Sequence, residues 1–151
     1  MDDNLKQTIF ETFSEVFETM FFTFLDPQTD LPTANEVDEA GKYVEAKISF
    51  SGGQEGVFKL YMPYQLAQNI TLNFLGIDEG GLAENQVADT AAETANMAVG
   101  SLLGKIDPAG KTILAIPQAQ VLKEFSPASL LNDPGLFLFG TDVGMLWVIK
   151  A

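Results

Sequence analysis

Apolar positions recur three and four residues apart at the start of the chain. Phe10, Phe13, Phe17, Met20, Phe21 and Phe24 fall on one side of a helix, predicted over about Leu5 to Leu25 and ended by Asp26-Pro27. Gln28 to Lys42 is polar, acidic and broken by Pro32 and Gly41, the pattern of a surface loop. The period then changes to two. Val44, Ala46, Ile48 and Phe50 alternate with Glu45, Lys47 and Ser49, which predicts a half-buried strand over Tyr43 to Phe50. A glycine-rich turn, Ser51 to Gly56, leads to a return strand over Val57 to Met62.

Pro63 opens a second helix, Tyr64 to Leu75, with Leu66, Ile70 and Phe74 on one side and Gly76 as its stop. Beyond a glycine-rich linker, a third helix starts at Glu84 or Asn85 and runs to about Lys105, where Asp107-Pro108-Ala109-Gly110 ends it. Thr112 to Lys123 reads as a strand interrupted at Pro117. Leu136 to Phe139 and Met145 to Ile149 read as a closing hairpin. Helix, two strands, two helices and three strands do not alternate as a doubly wound fold would. The order predicts an α+β fold (α/β in the broad sense): a mainly antiparallel sheet with about three helices packed on it. Residues 1–151 are enough for one domain with one core and too few for two comfortable ones.

Composition removes several classes of function. The 21 acidic residues against 8 basic ones give a net charge of −13, which repels nucleic acid and anionic membrane surfaces and suits a partner with a basic rim. With no Cys there is no disulfide, reactive thiol or thiolate metal site; with no His, the commonest general base and transition-metal ligand are missing. All eight basic residues are Lys, so no guanidinium clamp exists. No metal site of the chain's own is expected. Chemistry is left to carboxylates, amides, hydroxyls, lysines and whatever a partner brings. The acidic start Met1-Asp2-Asp3-Asn4 lacks the positive charge of a signal peptide, and Met20 to Leu25 is too short to span a bilayer, so the chain reads as cytoplasmic.

Candidate chemistry gathers on the third helix. At about 100° per residue, Val87, Ala88, Ala91, Ala95, Ala98, Val99, Leu102 and Ile106 share one face. Asp89, Glu93, Asn96, Gly100 and Gly104 share the opposite one. The spacings of four and three stack Asp89, Glu93 and Asn96 on successive turns. A solvated acidic face would look similar. The two glycines argue for more, since each costs roughly 1 kcal/mol against Ala on an exposed helix face and opens space for another protein's backbone.

Asp89-Thr-Ala-Ala-Glu93-Thr-Ala-Asn96, with Met97, Gly100 and the distant Pro117, resembles the signature of the CheC/CheX/FliY family of response-regulator phosphatases. The resemblance extends to Glu18-Thr19-Met20 in the first helix, to Gly52, Gly53 and Gly56 in the hairpin, and to Asn73-Phe74-Leu75-Gly76. It implies a CheX-like fold and hydrolysis of the aspartyl phosphate on a CheY-like receiver domain, in chemotaxis or another two-component pathway. Catalysis would fall to Glu93, binding a lysine of the receiver, and to Asn96, orienting the attacking water. Asp89, Glu93 and Gly100 would form the partner-binding surface. The Mg²⁺ would belong to the receiver, with no cofactor of the chain's own.

Two-site members of that family repeat the motif in the first helix. Glu15-Val16-Phe17-Glu18 has Glu where the second Asn would stand, which implies the one-site CheX type with a single catalytic face. The resemblance also implies a homodimer, and the apolar strand Leu136 to Phe139 would otherwise present a sticky sheet edge. A non-catalytic binding module on the same fold is the alternative. A structural subunit of the flagellar switch would call for adhesion segments that the sequence does not show.

Overall fold

The computed structural model describes residues 2–77 and 81–151. Along the chain these form α1 (Asp3–Phe21), β1 (Asp26–Gln28), β2 (Gly41–Ser51), β3 (Gly56–Pro63), α2 (Tyr64–Leu75), α3 (Glu84–Ile106), β4 (Ile113–Leu114), β5 (Gln118–Phe125), β6 (Leu136–Thr141) and β7 (Gly144–Lys150). Two short 3₁₀ turns, Ala34–Glu36 and Pro127–Leu130, lie in the connections. The strands build one antiparallel sheet in the order β1-β6-β7-β3-β2, and β4 and β5 share the far edge of β2. The expected α+β class is the one observed. The glycine-rich linker between α2 and α3 falls partly on residues 78–80, outside the described residues.

Alternation along the strands decides what the helices cover. Val44, Ala46, Ile48 and Phe50 of β2 point toward the helices with Phe58, Leu60 and Met62 of β3. They meet Ile9, Phe13, Phe17 and Phe21 of α1, Leu66 and Ile70 of α2, and the alanine face of α3. Phenylalanine rings set the depth of this core: Phe13 lies 5.8 Å from Phe58 and 6.1 Å from Phe139 between centroids.

The opposite sheet face is not bare. Tyr43, Tyr61, Leu138, Trp147 and Ile149 form a second buried cluster beneath Val37, Leu130 and Leu131 of the loops, and Tyr61 stacks on Phe125 at 4.7 Å. The segment read as a plain surface loop over Gln28 to Lys42 thus ends strand β1 and contributes part of this cover.

Three further expectations change. Helix α1 ends at Phe21, four residues before the expected Leu25. Phe22 turns into the left-handed region (φ 50°, ψ 37°), and its N–H and that of Thr23 both donate to the Phe17 carbonyl. Asn73 of α2 donates to the Phe21 carbonyl at 2.8 Å, a long-range cap that the helical period could not reveal. Phe24 therefore lies outside the helix and exposed, and Met20 and Phe74 are also exposed rather than completing apolar stripes. Strand β6 is also not a full edge: it lies between β1 and β7, and β1 pairs with Leu138 to Gly140, while Leu136 and Phe137 pair with β7 alone.

Phe22 is the only non-glycine residue with positive φ among the described residues, and 76% of its surface is exposed. The left-handed conformation costs a side-chain-bearing residue about 1–2 kcal/mol, whereas little burial is lost with this ring. Phe22→Gly is therefore expected to stabilise the fold by up to about 1 kcal/mol once the greater freedom of glycine in the unfolded chain is subtracted, read as a raised urea midpoint. A lowered midpoint would show that the ring contributes more packing than its exposure suggests.

Candidate functional site

Helix α3 is long because its sequence is rich in Ala and Leu and both ends are fastened. At its start the Gln86 side chain accepts a hydrogen bond from the Ala83 N–H at 2.9 Å, and Glu84 places a negative charge at the positive end of the helix dipole. Lys42 pairs with Glu84 at 2.6 Å while lying over the Tyr64 ring at 3.8 Å, tying the helix to β2 and α2. This contact raises the Lys42 pKa and lowers that of Glu84, chiefly through their hydrogen bond. At the other end Asp107 accepts from both the N–H (2.7 Å) and the hydroxyl (2.5 Å) of Thr112. That hydroxyl bond is the main reason the Asp107 carboxyl sits below its usual range.

Val87, Ala91, Ala95, Ala98, Val99 and Leu102 are buried as expected, with Ala88 and Ile106 partly so. Thr90, Thr94 and Leu103 are buried too, because α3 packs on α1 and α2 as well as on the sheet. Thr94 satisfies its hydroxyl on the Thr90 carbonyl at 2.8 Å. Within the solvent-facing side, Asp89, Glu93, Asn96, Gly100 and Gly104 fall in a sector roughly 80° wide at 100° per residue, flanked by the partly buried Ala92, Met97 and Ser101. Asp89 is exposed; Glu93 and Asn96 are partly buried. The structure therefore brings the predicted polar residues together on one ridge. The two ion pairs among the described residues, Lys42–Glu84 and Lys105–Glu15, leave Asp89 and Glu93 without a cation.

The two glycines divide: Gly104 is open as expected, whereas Gly100 is partly covered by its own chain. A Cβ on Gly100 would meet Leu114 Cδ1 of the same chain at 3.5 Å, an ordinary contact, while one on Gly104 would meet nothing within 4 Å. Both line a shallow groove of about 240 Å³ with Leu103, Asp107, Gly110, Thr112 and Leu114. Gly100 thus faces a strap of its own chain, residues 113–117.

The level of that strap follows from the two ends of α3. Glu84 meets Lys42, and Asp107 lies against Gly53, whose Cβ would come within 3.0 Å of the carboxylate, so α3 runs alongside β2 in the same direction. Its 23 residues at about 1.5 Å and the 11 of β2 at about 3.3 Å cover nearly equal lengths, which sets Asn96 level with Lys47 and Ile48. The strap passes the same point. Leu114 pairs with Phe50, the Ala115 N–H donates to the Ser49 carbonyl at 2.9 Å, and Gln118 stands opposite Lys47. Ile116 and Pro117 are therefore level with Asn96 on the sheet edge beneath α3. The sequence marked Pro117 as a strand break but could not give its level against α3.

The comparable stretch of α1 offers no second copy of this ridge. Glu15 is held by Lys105 of α3 at 3.4 Å, and Glu18 is exposed where an amide would be needed. Among the described residues no group of three or more acidic side chains is placed to hold a metal ion, and no helix is long and apolar enough to cross a membrane.

A family model described as chemotaxis phosphatase CheX matches residues 44–138, more than half of the chain. Among solved structures, the chemotaxis protein CheX from Vibrio vulnificus superposes with a TM-score of 0.74 at 22% identity, over 97% of this chain and 95% of that one. The CheX–CheY–BeF₃–Mg²⁺ complex from Borrelia burgdorferi gives 0.63 at 15% identity, over 97% and 96%. Thermotoga maritima FliY gives 0.61 at 14% identity, over 99% and 90%. At these identities the likeness carries the fold. No curated protein matches the sequence.

Proposed function

Because the chain belongs to the CheX family of chemotaxis phosphatases, we propose that it hydrolyses the aspartyl phosphate of a CheY-like receiver domain. The observation that carries this reading is the α3 ridge: an unpaired carboxylate at Glu93 and an amide at Asn96, one turn apart and open to a partner. The reaction asks for little more. Water attacks phosphorus, a new P–O bond forms, and the bond to the aspartyl oxygen breaks. The electron pair leaves on a carboxylate, a stable anion near neutral pH that needs no general acid. The products are inorganic phosphate, which carries the protons of the water, and a free aspartate.

A side chain that only holds the water in line supplies positional catalysis, which suits a protein lacking His, Cys and Arg. In this reading the Asn96 amide holds the water, and Glu93 accepts a hydrogen bond from a lysine of the receiver. Asp89 extends the negative face. The receiver brings its own Mg²⁺, and the Borrelia burgdorferi relative was crystallised with a CheY and that ion. The test is the lifetime of a phosphorylated CheY-like receiver with and without this protein. Tight binding to the beryllofluoride receiver with an unchanged lifetime would put the non-catalytic binding module in its place.

Two copies of the chain are proposed to pair. The support is family membership together with a sheet edge: among the described residues β5 pairs with β2 alone and presents an eight-residue ladder on its other side. Light scattering at tens of micromolar should return the mass of a dimer, and a monomer mass would remove the pairing.

A further inference from the structure

The proposed reaction leaves one conspicuous part of the site unused. Residues 113–117, Ile-Leu-Ala-Ile-Pro, carry no charge in a chain of net charge −13. Ile113 is 71% exposed and Ile116 87%, the most exposed large apolar side chain among the described residues. Slack chain does not explain this. Thr112 is held by Asp107 and in turn accepts from the Gln54 N–H at 2.9 Å, Leu114 tucks under Gly100, and Ala115 is bonded to Ser49. Pro117 fixes its own φ and keeps Ile116 extended. Ile113, paired with Ser51 next to the helix-side pair Phe50 and Leu114, faces away from α3. Ile116 is the branched apolar side chain left on a backbone that is already ordered, where binding costs little further ordering.

We propose that Ile116 is the apolar anchor with which the α3 ridge docks the phosphorylated receiver domain; this rests on the phosphatase reading above. Ile116 stands level with Asn96 on the side of α3 that Gly100 shares, so a domain seated over Glu93 and Asn96 also reaches the strap. Charge selects the occupant. The ridge sets carboxylates at its centre and a neutral apolar strip beside them, which suits a partner that offers a lysine next to apolar surface. A second copy of this chain would instead bring like charge against Asp89 and Glu93. The role is binding rather than chemistry, since its side chain has no atom to offer the water or the phosphoryl group. Ile116 is therefore a specificity contact, lost equally from ground and transition states when it is removed.

The experiment is single-turnover decay of a phosphorylated CheY-like receiver, with binding of its beryllofluoride form measured in parallel. Ile116→Ser is expected to raise Kd about tenfold, as for loss of a buried aliphatic contact, whereas Ile113→Ser, on the sheet face away from α3, should leave it unchanged. The rate at saturating receiver and the urea midpoint should stay at wild-type values. Phe24→Ser, which removes a comparably exposed ring elsewhere, should leave Kd unchanged. If the wild type binds and hydrolyses while Ile116→Ser keeps its Kd, this inference alone is overturned. A strap variant that converts a dimer to a monomer without changing receiver Kd also overturns it, since the strap then serves a second copy. Failure of the wild type to bind the beryllofluoride receiver removes this inference together with the phosphatase reading.

Discussion

Asn96→Ala is expected to lower the maximal rate of receiver dephosphorylation by about 10–100-fold while binding of the beryllofluoride form changes little. Such a pattern marks an interaction made mainly in the transition state. The side chain is partly exposed on a helix fastened at both ends, so its loss should leave the fold intact. An amide is suited to the task because its carbonyl accepts from the water and its NH₂ donates, which orients a nucleophile without ionising it. Asn96→Asp tests that point. It keeps the size, removes the donor and adds charge beside an anionic substrate, so it should be at least as slow as alanine. Replacing Glu15 or Glu18 on α1 supplies the control, since neither has an amide beside it and Glu15 is already engaged by Lys105; the rate should hold. Wild-type rates from Asn96→Ala would refute water positioning.

Glu93→Ala is expected to weaken receiver binding as well as turnover, by roughly 1–3 kcal/mol, the range for a charge-assisted hydrogen bond that becomes desolvated in the complex. At about 1.4 kcal/mol per tenfold, this is a loss of about five- to 150-fold in Kd. Among the described residues no cation of the chain itself competes for this carboxylate, so its charge is available to a partner. Glu93→Gln separates charge from shape. It should recover part of the affinity at high salt, where the charge of the wild type is screened, and less at low salt. The wild-type association rate should also fall with ionic strength, because a chain of net charge −13 steers a basic partner over distance. A Glu93→Ala variant with unchanged Kd at low salt would remove the proposed lysine contact.

Local pattern carried much of this protein. The period-two run of β2, the proline and glycine that bound α2, and the start and stop of α3 all lie within a few residues of the features that cause them, and each stands where it was read. The ridge was legible for the same reason: Asp89, Glu93 and Asn96 share a face by helical geometry alone, once the helix exists. The face opposite was legible because small apolar residues recur there at helical spacing.

The misread features all turn on contacts between residues far apart in sequence. Nothing near Phe22 announces a left-handed turn; Asn73, more than fifty residues on, takes the Phe21 carbonyl that another helical turn would have used. Leu136 to Phe139 has the composition of a strand, but whether it lies at an edge depends on Asp26 to Gln28 pairing with it across the chain. Gly100 has an open face by helical geometry, and only the path of residues 113–117 fills that space with Leu114. The amino-acid sequence by itself determined the elements and the chemistry that one helix can display, because hydrophobic period, capping and turn preference act over a few residues. Tertiary structure alone decided which strands are neighbours, what covers the second face of the sheet, and that Ile116 stands level with Asn96, because these follow from packing between segments whose separation no local pattern encodes.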